Sequence, residues 1–291
     1  MTRFEKFIYE HLHILRRLVQ VAALLFLVAV PILNKFGFNE ILGTFYSIKI
    51  GNLDIVDPAL MLQNILLTKE IYFPMLLAGI IPLIIALLLG KVFCSWVCPF
   101  NLFAEFTDKL RKKIRPKTVK FHNHNPKPHH YWLVFGIILT AVAVLGVPLI
   151  ALISMPGLIS GQIADALFWG SLGFEIIFVL LILTVEVFWA PRFWCKYACP
   201  VGATLSLLRS RHTLKIHYNP RQCSCSSKYL PCNNACPVQL DPRHAGIYPY
   251  CYNCGECVDA CRQEGQALTF TLQPAEKLSA AQIQNRKQMI D

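Results

Sequence analysis

CYNCGECVDAC places Cys251, Cys254, Cys257 and Cys261 within eleven residues, at intervals of three, three and four. Thiolates at this spacing suit a [4Fe–4S] cluster, three wrapping one cube and the fourth reaching the other cube of a pair. A structural zinc site asks instead for two separated cysteine pairs. The second run that a cube pair requires lies upstream, as Cys223-x-Cys225-x6-Cys232-x3-Cys236-Pro237. In the crossed pattern Cys223, Cys225, Cys232 and Cys261 hold one cluster, and Cys236, Cys251, Cys254 and Cys257 hold the other. The CSC half of the upstream run is irregular, and Arg262 stands where a proline would complete the downstream one. Two adjacent clusters form a wire for single electrons.

Four more thiols come as a repeated pair. FCSWVCPFNL carries Cys94 and Cys98, WCKYACPVGA carries Cys195 and Cys199, and each pair ends in proline directly after an apolar run. Together they can form a four-thiolate site for soft copper or another metal or a redox dithiol couple. They can also be small buried residues in a tight turn, although repetition at equivalent positions argues against that. Glu186 is an acid inside an apolar run, nine residues before Cys195, or about 13 Å along a continuous helix. Such a group is a proton acceptor for a quinol, or else it faces a helix partner or a watery cleft. Glu175 reads as a solvated cap, and His122, His124, His129 and His130 as members of a polar interfacial loop, HNHNPKPHH.

The elements that must position these groups belong to an α-helical integral membrane protein. Of 291 residues 55% are hydrophobic and 15% charged, unlike a soluble domain, and the twelve cysteines sit in three short regions instead of a scattered disulfide framework. Runs at 14–36, 71–91, 131–153 and 172–193 match the roughly 17–25 residues a spanning helix needs. Basic residues gather in the N-terminal tail, with Arg16 and Arg17, and in the loop at 92–130, with Lys109, Arg111, Lys112 and Lys113. By the positive-inside rule both termini and both cysteine pairs face the cytoplasm of a multi-pass protein. The net charge of +11 then reports topology and attraction to anionic lipid, not nucleic-acid binding.

The order helix, outer segment, helix, CxxxCP, basic stretch occurs twice. It divides the chain into a first transmembrane hairpin (1–113), a linker (114–130), a second hairpin (131–211), a ferredoxin-like 2[4Fe–4S] cytoplasmic domain (212–272) and a polar tail (273–291). Each proline after CxxxC should open a helix, where its missing N–H costs nothing. NLFAEFTDKLRKK and GATLSLLRSRHTLK should follow as interfacial amphipathic helices. In the outer segment a short hairpin is expected at Gly51-Asn52, then a helix from Asp57.

With both CxxxCP motifs and the ferredoxin run in hand, the chain resembles the NapH/MauN family of ferredoxin-type membrane proteins, the quinol dehydrogenase membrane component of periplasmic nitrate reductase systems. The resemblance spans nearly the whole chain and implies four transmembrane helices in the bacterial inner membrane and two [4Fe–4S] clusters. It further implies quinol as electron donor, and electron delivery through a NapG-type iron–sulfur partner to a periplasmic reductase. It carries onto Cys94, Cys98, Cys195, Cys199 and the cluster thiols, while CSCSSKYLPCNNACP departs from the family's regular first run. The CxxxCP unit is shared with copper-handling assembly factors. The competing expectation is therefore a maturation protein that binds or reduces copper for a periplasmic or membrane oxidoreductase.

Overall fold

The computed structural model describes residues 11–38, 40–114, 126–189, 191–225, 230–262 and 265–272. His122, His124, the tail at 273–291 and most of the linker at 114–130 lie outside the described residues. Helix α1 (Leu12–Lys35) extends about 36 Å at 1.5 Å per residue. It is followed by a three-stranded antiparallel sheet, β1 (Ile41–Gly43), β2 (Ser47–Ile50) and β3 (Leu53–Val56), whose second turn is made at Gly51-Asn52 with Gly51 at φ +56°. The Asp57 carboxylate accepts the Ala59 N–H at 2.9 Å and Pro58 occupies the first turn. These are the signals that start α2 (Pro58–Thr68). Helix α3 (Phe73–Leu89), the short α4 (Val92–Trp96) and α5 (Pro99–Ile114) complete the first half.

The second half differs from the expected pattern. The run at 131–153 is not one helix: α6 (Pro128–Leu145) stops where Gly146 takes a left-handed conformation at φ +66° and Pro148 follows, a common helix-ending pair. Helix α7 (Leu149–Ile153) takes up the end of that run, and α8 (Met155–Trp169) fills the outer segment expected between it and the next run. Helix α9 (Glu175–Phe188) is shorter than the run that contains it, because the chain turns through Arg192, at φ +57°, into a π-helical turn at Trp194–Ala198. Helix α10 (Pro200–Leu207) opens at its proline as expected, but its residues from Pro200 to Ser206 are buried, so it is not an interfacial amphipathic helix.

Among the described residues, α1 and α6 are the helices long and apolar enough to cross a membrane. Helices α3 and α9 are as apolar but span 17 and 14 residues. Burial on α3 is inverted relative to a soluble protein. The small Ala78, Gly79 and Ala86 are inside, while Leu77, Ile80, Ile81, Ile84 and Ile85 are exposed. Small residues at helix contacts and large apolar ones outward is the arrangement lipid favours. Helix α2 packs on α6 and α10, and α8 packs on α1 and α5, so each outer-segment helix contacts the other half of the chain. Gly157 at the start of α8 admits the Tyr46 ring where a Cβ would lie 2.0 Å from its Cζ. The Tyr46 hydroxyl then donates to the Ala151 carbonyl at 2.6 Å.

The last unit is closed by β4 (Lys215–Tyr218) pairing antiparallel with β5 (Leu268–Thr271). Between them α11 (Pro231–Ala235) packs against α12 (Glu256–Cys261). This unit is docked on the helices. Leu214 N–H donates to Leu88 O at 2.8 Å, and the Asn253 amide donates to Leu89 O at 3.0 Å.

Candidate redox site

Cys236, Cys251, Cys254 and Cys257 line one apolar cavity with Val238, Leu240, Ile247 and Tyr252. These are the four thiols the crossed pattern assigns to one cluster. Gly255, at φ +84°, starts α12 inside this run, and a Cβ there would stand 2.3 Å from Leu12 of α1. Only glycine satisfies both the backbone conformation and that close approach. The Leu240 N–H donates to the Cys236 sulfur at 3.3 Å. Cys232 interacts with Cys261 and Cys225, and Cys223 with Tyr218, so the other four predicted thiols also gather, around the joint of α11 and α12. As free thiols these groups are held protonated. Burial pushes Cys251 up to about 11 and Cys232 and Cys254 to about 12, and a cationic centre has to displace those protons to bind. The donor set, the cavity and the sulfur-directed N–H fit an iron–sulfur cluster.

The CxxxCP pairs meet at the end of the helical bundle. Cys98 and Cys199 are buried, Cys94 and Cys195 pack against them, and the Cys98 thiol feels both Cys94 and Cys199. All described cysteines are free thiols. Among the described residues no three His, Cys, Asp or Glu side chains converge on one metal ion. At metal–sulfur distances of about 2.3 Å a tetrahedral ion needs its sulfurs ~4 Å apart, so a mononuclear copper centre is not favoured. His129 and His130 stack on each other at 3.9 Å between ring centroids.

The two thiol regions touch. Ser95, inside the first CxxxCP, donates to the Tyr252 carbonyl at 2.7 Å, between Cys251 and Cys254. Two buried cations flank this junction. Lys91 Nζ donates to the Tyr131 hydroxyl and to Pro249 O, each at 3.0 Å. Arg192, fully buried, donates to Asn101 Oδ1 at 2.6 Å and pairs with Asp108 at 2.9 Å. Both were missed in the sequence, yet the signal is there: each is the third residue before the first cysteine of its motif, KVFC and RFWC. Glu186 is 2% exposed and neither carboxylate oxygen closes a hydrogen bond. The groups acting on it are Arg192, Asp108 and the Trp194 N–H. Because the helix is not continuous to Cys195, Glu186 lies within electrostatic reach of that thiol, instead of a full helix length away. Glu175 receives the Gln162 amide at 3.1 Å.

Asp108 opens onto a cleft between the bundle and the last unit, with the buried Arg192 behind it and Arg16, Glu105 and Cys236 also along its wall. Arg16 is 3% exposed and pairs with Glu105 at 2.5 Å and with Glu256 at 3.0 Å, joining α1, α5 and α12. Burial alone would raise the Glu105 carboxyl, but Arg16, the Gln20 hydrogen bond and Arg17 outweigh it and hold it below the usual range.

Comparison with known proteins places the site in context. The sequence profile of a 4Fe-4S binding domain matches twice, at residues 71–118 and 172–217. The ferredoxin-type protein NapH of Escherichia coli is 26% identical over 275 residues, with 88% of each chain covered. The methylamine utilization ferredoxin-type protein MauN of Paracoccus denitrificans is 29% identical, covering 77% of this chain and 75% of its own. An uncharacterized protein of Methanocaldococcus jannaschii is 27% identical, covering 67% of this chain and 70% of its own. No solved structure matches the chain.

Proposed function

We propose that the chain, which is similar to the ferredoxin-type proteins NapH and MauN, takes electrons from a membrane quinol and passes them on through two [4Fe–4S] clusters. Bound clusters supply single-electron exchange. Cys223, Cys225, Cys232 and Cys261 hold one, and Cys236, Cys251, Cys254 and Cys257 the other. The observation that carries this reading is the Ser95 to Tyr252 hydrogen bond, which puts the ferredoxin run directly on the CxxxCP turn at the end of the bundle.

Quinol oxidation releases two electrons and two protons. Glu186 takes the protons in turn at its carboxylate, and Asp108, paired to Arg192 at the cleft, leads each one away. A buried acid whose oxygens close no tight hydrogen bond and have only the Trp194 N–H facing them is suited to this exchange. Arg192 keeps the carboxylate form accessible between transfers.

Four spans, α1, α3, α6 and α9, place the protein in the bacterial inner membrane with both termini cytoplasmic. Their support is the outward-facing apolar surface of α3 and the charge asymmetry of the sequence. A duplicated hairpin accounts for the two profile matches and for the exchanged packing of α2 and α8. The CxxxCP thiols provide a further redox centre between quinol and the ferredoxin unit, and the onward acceptors are an iron–sulfur partner and a periplasmic reductase. In liposomes, the protein is expected to catalyse quinol-dependent reduction of a soluble one-electron acceptor. An acceptor reduced no faster than in protein-free liposomes would contradict the proposal.

A further inference from the structure

We propose that Cys94, Cys98, Cys195 and Cys199 together ligate a third [4Fe–4S] cluster, two thiolates from each half of the chain. The proposal deepens the electron-transfer reading above, but it is tested by metal content and not by quinol activity.

Proximity is the first observation. Cys94 interacts with Cys98 and Cys199, Cys98 with Cys199, and Cys195 with Cys199 and Cys98. The quartet packs in one cluster, Cys98 and Cys199 buried and Cys94 and Cys195 against them.

Sulfur solvation is the second. The backbone N–H groups of Phe100 and Asn101 face Cys98, and those of Val201 and Gly202 face Cys199. Each proline-started helix therefore turns its first free amides onto the second cysteine of its own motif. Amides on cluster sulfurs stabilise the anionic ligand set and tune its potential.

Charge is the third. Four thiolates exceed the positive charge of the core, so the loaded centre is anionic in either redox state. Lys91 is buried and bonded only to two neutral oxygens, and among the described residues it forms no ion pair. A buried ammonium without a counter-charge is strongly unfavourable. The thiols it acts on are Cys94 and Cys199 of the quartet and Cys251 of the neighbouring run, and its head lies against Gly202. Arg192, at the equivalent place in the second motif, acts on Cys98 and Cys195. An anionic cluster on the quartet puts a counter-charge on the side of Lys91 that faces Cys94 and Cys199, as the cluster held by Cys251 does on the other.

Each match to the 4Fe-4S binding profile contains one CxxxCP pair, and both end before Cys223. The cluster asks for nothing beyond single-electron exchange. Each electron it takes from quinol it yields to the neighbouring cluster held by Cys236, Cys251, Cys254 and Cys257, so it is unchanged over a cycle. Tyr252 acts on Cys195, Cys254 and Cys236 alike, which makes the two centres neighbours.

The test is iron, sulfide and copper counting on the anaerobically purified full chain, with Mössbauer spectra. Three clusters give about twelve irons per chain where two give about eight. Cys98→Ser with Cys199→Ser is expected to lose about four irons and leave the others, and Lys91→Gln to keep the iron but lower the potential of the centres it borders by removing a buried cation. About eight irons in the wild-type chain, or copper in place of the missing four, would overturn the proposal whether or not the double variant folds.

Discussion

At the scale of the residue, the site depends on groups whose surroundings leave them little alternative. Glu186 is buried with unpaired oxygens beside Arg192. Its replacement, Glu186→Gln, should slow quinol-driven cluster reduction by about 100-fold or more while leaving iron content unchanged, which anaerobic stopped-flow absorbance measures. Loss of iron in that variant would assign Glu186 to structure instead. Gly255 is constrained twice, by φ +84° and by Leu12. Gly255→Ala should cost about 1–3 kcal/mol and lower the temperature at which the iron–sulfur absorbance is lost. An unchanged transition would mean that α1 and α12 separate easily.

At the scale of the element, the ferredoxin unit is fastened by charge. Arg16 is almost wholly buried between Glu105 and Glu256, so Glu105→Ala leaves it half-paired, at the lower end of the about 3–5 kcal/mol expected for breaking a buried pair. Limited proteolysis should then cut between α10 and β4 more readily than in the wild-type chain. The pH dependence has a definite sign. Since the folded-state Glu105 is held below its usual value, its contribution is fully present above about pH 4.3 and fades as the pH falls further. Proteolytic resistance should accordingly be flat from neutral pH down to that point and drop below it. Resistance that instead declined near neutral pH would contradict this assignment to Glu105.

Much of this scale was legible in the sequence. The Gly51-Asn52 turn, the Asp57 start of α2 and the prolines opening α5 and α10 are short-range signals that act within one turn of chain. The break at Gly146 to Pro148, helix α8 and the burial of α10 were not. An apolar window smooths over a Gly-Val-Pro interruption. In a chain apolar both inside and outside, the periodicity that separates core from surface is also lost. Lys91 and Arg192 were passed over because each stands at the edge of an apolar run, where a basic residue ordinarily reads as a boundary marker. Their equivalent spacing before each CxxxCP was the available clue. The thiol runs were plain from spacing alone, but their contact through Ser95 and Tyr252 depends on tertiary packing that no spacing encodes.

At the scale of the whole molecule, the fold brings a buried acid, a thiol quartet and a ferredoxin run into one corner of the bundle, with the outward apolar surface of α3 left for lipid. The proposed four-span arrangement predicts that reporter fusions at both termini sit on the cytoplasmic side and that a label in the β2–β3 turn is reached only from the opposite face. A β2–β3 label reached from the cytoplasm would remove the four-span arrangement. The central claim is that quinol electrons enter these clusters, and electron paramagnetic resonance of the anaerobically purified protein tests it most directly. A reduced quinol should develop an iron–sulfur signal that grows with quinol concentration and that Glu186→Gln delays. Clusters that dithionite reduces but excess quinol leaves silent would contradict it.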